Sequence, residues 1–178
     1  VDSPPKQDPE AAKLETIAYP FSYSGETWEP AKPPANLQYC FIKGTSITMA
    51  DGSKKNIENI KEGDIVQSQN GNSKVTKLII HNGEFDVYSI NNSKPFVTAE
   101  HPFKTTTGWK AIDPLETFKV HGIESNVLEI GDILITKEGT EEVKSIDKST
   151  QTTNIVYNLQ LDNEHVYYAN GYLVHNKE

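Results

Sequence analysis

Hydrophobic positions in this chain alternate with polar ones in short bursts and almost never recur at helical spacing. From Cys40 onward, runs rich in Val, Ile, Tyr and Phe cover 46–49, 64–68, 75–80, 85–90, 96–99, 133–136, 142–146, 155–161 and 166–169. Period-two runs of this length read as half-buried strands. Asp51-Gly52, Asn70-Gly71, Asn82-Gly83 and Asn170-Gly171 punctuate them. Such pairs favour tight hairpins, because the preferred two-residue turn needs positive φ at both central positions. One helical turn is expected at 56–60. The pattern predicts an all-β domain of about a dozen short strands, the size of one sandwich or barrel-like unit.

The pattern also repeats. Ile60-Lys61-Glu62-Gly63-Asp64-Ile65-Val66 parallels Leu128-Glu129-Ile130-Gly131-Asp132-Ile133-Leu134, and Val87-Tyr88-Ser89-Ile90 parallels Val156-Tyr157-Asn158-Leu159 at nearly the same offset. Two related halves are therefore expected. A histidine comes after each Val-Tyr run, His101 and His165, so the halves deliver two imidazoles toward a shared centre. The stretch 113–126, with Pro114, His121 and Gly122, fits neither half and is expected to be an inserted loop.

Residues 1–39 differ in texture. Seven of the 10 prolines fall there, a density that blocks helix and central-strand ladders. We expect an extended Pro-rich flank or linker, with a short helix at 10–17 and with Tyr19, Phe21, Tyr23 and Trp28 free to pack against a neighbouring surface.

The 178 residues carry a net charge of −8 and are 35% hydrophobic. No basic stripe appears, which argues against a nucleic-acid partner. No apolar run approaches a membrane span, and the first residues lack the parts of a signal peptide. A monomer is expected, cytoplasmic or phage-associated rather than secreted, with no cofactor. The single cysteine, Cys40, excludes an intramolecular disulfide and is either a small buried apolar group or a reactive centre. A zinc site competes for the histidines, but no His-x-x-x-His or Cys-x-x-Cys spacing supports it. His81 and His121 are read as surface residues.

Chemistry is possible at both ends of the β region. The Cys40 thiolate can attack the carbonyl of Tyr39, turning the Tyr39–Cys40 amide into a thioester by an N-to-S acyl shift. That step needs help at the departing nitrogen. Thr98 and His101 can give it if the chain bends between them, and Pro102 restrains His101. The competing reading is a histidine satisfied at a strand end. In the tail, a hairpin at Asn170-Gly171 would set His165 beside His175 and Asn176. The Asn176 side-chain nitrogen can attack its own carbonyl, form a succinimide and release the residues downstream. His175 could stabilise the oxyanion and His165 could take the proton. The competing reading is a terminal strand with incidental polar residues.

In order along 40–176, these motifs resemble the Hint domain shared by inteins, bacterial intein-like domains and the autoprocessing part of hedgehog proteins. The first motif is similar in Cys40-Phe41, Gly44-Thr45, Asp51-Gly52, Ile57-Glu58, Ile60 and Gly63-Asp64. Thr98-x-x-His101 resembles the second, Val156-Tyr157-Asn158-Leu159 with His165 the penultimate, and Asn170-Gly171 to His175-Asn176 the last. The resemblance implies a horseshoe-like, pseudo-twofold β fold over 40–176, flanked by 1–39 and 177–178. It implies Cys40 as nucleophile, Thr98 and His101 activating the first amide, and His165 and His175 assisting Asn176. The partners it implies are the flanking polypeptide and an external nucleophile: water, a thiol or an amine.

Two residues depart from the pattern. Splicing needs Cys, Ser or Thr after the terminal Asn, and this chain has Lys177. Asn158 stands where inteins often carry Asp, which removes a titratable group and predicts slower or differently coupled steps. The 113–126 insert is too short for a homing endonuclease. Self-cleavage without efficient splicing is the expectation. A catalytically silent binding module and true splicing are the alternatives.

Overall fold

The computed structural model describes residues 22–24, 27–29 and 40–176. Ser22–Ser24 and Thr27–Glu29 pair antiparallel. The expected helix at 10–17, most of the Pro-rich flank, Tyr39 and Lys177 lie outside the described residues.

The domain is built almost entirely of short strands, as the alternating pattern predicts. Its largest sheet runs in the order Asn126–Val127, Gly108–Ala111, Phe103–Thr105, Ile133–Thr136, Tyr172–His175, Val166–Ala169, Ser46–Thr48, Lys54–Asn56, with Gly139–Glu142 paired to Ile133–Thr136. A three-stranded sheet sets Thr153–Leu161 and Ile65–Ser68 on either side of the long strand Gly71–Phe85. Between the sheets lies a core that includes Phe41, Ile47, Val97, Phe103, Leu134, Leu159 and Tyr167, all buried.

The repeat is visible in matched hydrogen bonds. Gly63 N–H donates to Val75 O at 2.7 Å, and Gly131 N–H to Val143 O at 2.8 Å. Asp64 accepts from Lys61 N–H at 2.9 Å and from Lys55 Nζ at 2.9 Å. Asp132 accepts from Glu129 N–H and from Lys110 Nζ, each at 2.8 Å. The same turn is thus built twice, each time around a Gly-Asp pair and a lysine.

Several expectations need correction. The run 96–99 forms only isolated bridges at Val97, and 142–146 falls between the strands Gly139–Glu142 and Ile146–Lys148. Asn82-Gly83 is no turn: the strand Gly71–Phe85 runs straight through it, paired along Thr153–Leu161 with a register shift near that end. Gly83 is small for a packing reason, because a Cβ there would come within 3.2 Å of the Phe85 ring, which is fully buried. The inserted loop is in part a helix, Pro114–His121. Asp113 caps it by accepting from Glu116 N–H, proline occupies its start, and Gly122 closes it at φ 74. These are start and stop signals for a helix, in a stretch whose apolar spacing is too sparse to declare one. The turn expected at 56–60 is a short 3₁₀ helix, Ile57–Asn59.

The terminal hairpin forms as its Asn-Gly pair predicts. Val166–Ala169 pairs with Tyr172–His175, and Asn170 and Gly171 take φ 50 and 85. Asn170 also locks the turn to the opening strand. Its N–H donates to Ser46 O at 2.7 Å, and its Oδ1 accepts from Ser46 N–H at 2.8 Å. Gly171→Ala should therefore destabilise the domain by about 1 kcal/mol, a midpoint drop of about 2–4 °C. Thermal unfolding by circular dichroism measures this, and an unchanged midpoint would show that the left-handed turn is not under strain.

Candidate functional site

Cys40-Phe41-Ile42 lies as a short strand between two neighbours. On one side Ile42 N–H donates to Phe96 O at 3.0 Å and Thr98 N–H to Cys40 O at 3.1 Å. On the other, Phe41 and Tyr157 exchange both backbone bonds, at 2.8 and 2.7 Å. Successive side chains point to opposite faces. Phe41 enters the main core and packs on His101, ring centroids 4.2 Å apart. Cys40 turns the other way into a small apolar cluster with Phe85 and Val156.

The bend that Thr98 and His101 require is present. His101 N–H approaches Thr98 O at 3.5 Å, closing a turn over Ala99 and Glu100. The Cys40 backbone N–H donates to Thr98 Oγ1 at 3.0 Å. His101 is fully buried, and its Nδ1 lies 3.5 Å from Pro102 O. The same Pro102 carbonyl accepts from His175 N–H at 3.2 Å, so one peptide group links the two histidines.

At the other junction Asn176 is fully buried, and its N–H donates to His165 O at 2.6 Å. The hairpin thus brings the backbone of His165 to Asn176, while the His165 side chain is exposed. His175 is half-buried and meets Trp109 edge-on, centroids 5.1 Å apart. Asn158 reaches Asn176 directly: its Nδ2 donates to Asn176 Oδ1 at 3.2 Å. His81, read as a surface residue, is half-buried opposite Val156 in the long ladder. The side chain of His121 lies outside the described residues. Among the described residues no group of three or more His, Cys, Asp or Glu is placed to hold a metal ion, and no helix is long and apolar enough to cross a membrane.

Two residues of this centre were not singled out by sequence. Tyr167 is one, a core tyrosine whose hydroxyl is hydrogen-bonded to Asn158. Glu100, inside the Thr98–His101 turn, is the other. It is buried, and its Oε1 has no hydrogen-bond partner. Desolvation pushes its carboxyl up to about 7, against a hydrogen bond from Thr98, and Asp113 and Glu116 add like charge. The inserted helix braces this turn: Asp113 N–H donates to Ala99 O at 2.8 Å, and Thr117 Oγ1 to Glu100 O at 2.6 Å. Burial pushes the Cys40 thiol well above its ordinary value, and Glu100 adds to the push. A glutamate between the two motif residues was the only sequence signal for this coupling.

Residues 40–111 match the family described as Hom_end-associated Hint. No curated protein matches the chain. Among solved structures, a gp41-1 intein variant superposes with a TM-score of 0.61 at 24% identity, covering 78% of this chain and 100% of its own. A bacterial intein-like domain from Clostridium thermocellum superposes at 0.56 with 28% identity, covering 77% and 98%. A DnaB intein from Synechocystis sp. PCC 6803 gives 0.57 at 18% identity, covering 78% and 98%. The described domain therefore shares the fold of these inteins and of the intein-like domain, and its first half matches the Hint family model.

The raised carboxyl of Glu100 has a stability consequence. Its folded value lies above its ordinary value of 4.5, so the folded state holds the proton more tightly than the unfolded one. The contribution is complete below pH 4.5 and is lost as the pH rises through about 7. Wild-type protein should lose up to about 3 kcal/mol from this group between pH 5 and 8, and Glu100→Gln should not. Urea unfolding of both at the two pH values is the measurement, and equal losses would remove Glu100 as the cause.

Proposed function

We propose that the domain cuts its own chain at two junctions and joins the flanks poorly or not at all. The Cys40 thiolate attacks the Tyr39 carbonyl carbon, the C–N bond breaks, and the Cys40 nitrogen leaves with a proton drawn through Thr98 and His101. Water, a thiol or an amine then takes the Tyr39 acyl group from the thioester, restoring the thiol. At the far end, Asn176 Nδ2 loses a proton as it attacks the Asn176 carbonyl carbon. The bond to Lys177 breaks, the Lys177 nitrogen gains a proton, and a succinimide remains.

The observation that carries this reading is the bond from the Cys40 amide N–H to Thr98 Oγ1, 3.0 Å, with His101 in the same turn. Thr98 Oγ1 accepts from the leaving nitrogen and donates to Cys40 O at 3.4 Å, so it can steady the amide as it twists while a donor in the same turn supplies the proton. General acid–base help of this kind is worth about 10² to 10⁴-fold. Cys40 acts as nucleophile, Thr98 and His101 act at the leaving nitrogen, and Asn158 and His175 act at Asn176. His165 contributes through its carbonyl to the placement of Asn176, and its ring is exposed. Lys177 supplies no thiol or hydroxyl, which favours release over ligation. The flanks 1–39 and 177–178 are then the substrate.

A second reading, a Hint-derived binding module without catalysis, is favoured by one feature: burial holds the Cys40 thiol well above its ordinary value, so little thiolate is available at neutral pH.

Incubation with hydroxylamine, with intact mass as the readout, separates the two. Cleavage at Tyr39 should be abolished by Cys40→Ala, and cleavage after Asn176 by Asn176→Ala, each leaving the other cut in place. No cleavage in the wild type would favour the silent module. A product joining Tyr39 to Lys177 would instead restore splicing. The raised thiol also sets the pH dependence. N-terminal cleavage should accelerate about tenfold per pH unit from 7 to 9, because a single deprotonation remains incomplete over that range. Rates that level off as the pH approaches 9 would show that the thiol titrates at or below its ordinary value.

A further inference from the structure

The Asn158 carboxamide has a fixed orientation. Its Oδ1 accepts from Leu159 N–H at 2.8 Å and from the Tyr167 hydroxyl at 2.6 Å. A backbone N–H can only donate, so the oxygen end must face Leu159 and the NH₂ end must face away. That NH₂ end meets Asn176 Oδ1. The contact assigns Asn176 in turn: its oxygen faces Asn158 and its nitrogen, the nucleophile, points elsewhere. All three side chains are buried, at 2% exposure for Asn158 and 0% for Tyr167 and Asn176, so water does not compete for these bonds.

We propose that the Tyr167 hydroxyl is a positioning group for Asn176 cyclisation, acting through Asn158. The inference rests on the self-cleavage reading and adds a residue to it. Tyr167 pins the Asn158 carboxamide and, by donating to its oxygen, polarises its N–H bonds. A hydrogen bond in a dry chain strengthens the next one. The donor at Asn176 Oδ1 draws electron density toward that oxygen and makes the protons on Nδ2 more acidic. One of them must leave when the nitrogen attacks. The Tyr167 ring also meets Phe41 edge-on, centroids 6.2 Å apart, so the same residue touches the strand that carries Cys40. Phenylalanine keeps that ring contact and removes only the hydroxyl.

The test compares the wild-type 178-residue chain, Tyr167→Phe, Asn158→Ala and the double variant. Release of the segment after Asn176 is monitored by intact mass. Tyr167→Phe should slow release about three- to tenfold, the size of one neutral hydrogen bond. In the Asn158→Ala background it should produce no further slowing, because the link it acts through is gone. Slowing of equal size in both backgrounds, or in neither, overturns the proposal. A second measurement does not depend on cleavage: hydrogen exchange of the Asn158 and Asn176 side-chain amides, read by ¹⁵N NMR. Tyr167→Phe should accelerate exchange at Asn158 and move the Asn176 amide resonance. Unchanged amides overturn the tyrosine link whether or not the chain cuts. Altered amides in a wild type that never cuts support the link and count against self-cleavage alone.

Discussion

The site depends on the reciprocal pair of backbone hydrogen bonds between Phe41 and Tyr157. Phe41 comes directly after the residue that can open the first junction, and Tyr157 directly before the one that holds the second. Fastening these two positions side by side places Cys40 and Asn158 in adjacent strands, far apart in sequence. Asn176 joins them because the terminal hairpin folds back and its last residue contacts Asn158. Both backbone groups of Phe41 are consumed in the pair, and its ring is fully buried against His101. A shift of one residue in this strand would turn the Phe41 ring out of the core and Cys40 into it, so burial alone enforces the register.

The same burial opposes the chemistry it organises. A thiol packed with Phe85 and Val156 resists ionisation, and the nearby carboxyl of Glu100 is itself held toward its neutral form. An apolar surrounding penalises each charged form. What the site offers in return is a dry, fixed set of donors and acceptors at the amide nitrogen and at Asn176, which act more strongly than they would in water.

Much of the fold was legible from residue order. The Asn170-Gly171 hairpin was readable because its turn chemistry is local. The two halves were readable because the Gly63-Asp64 and Gly131-Asp132 turns are built from the same residues. The features that were not legible are set by tertiary partners. Asn82-Gly83 looks like Asn170-Gly171 in sequence, yet Gly83 serves the ring of Phe85 two residues on. The helix Pro114–His121 has its caps in plain view, but half-exposed Leu115 and Phe118 do not make a buried stripe. Glu100 reads as a spacer until the fold buries it, and that burial is what raises its carboxyl. His165 is placed by its ring when read from sequence and by its carbonyl in the fold.

Asn158, a departure that reads as a loss in sequence, gains a physical reason from its partners. An aspartate in its place could still accept from Leu159 and Tyr167, but it has no proton for Asn176 Oδ1. Asn176 would then have to turn its Nδ2 toward the carboxylate, committing its nucleophilic nitrogen to that bond. With asparagine the roles reverse: the oxygen of Asn176 is held and its nitrogen is directed away. The two residue types at this position select opposite orientations of the terminal amide. Asparagine gives up a titratable group at this position and gains a donor to Asn176 Oδ1.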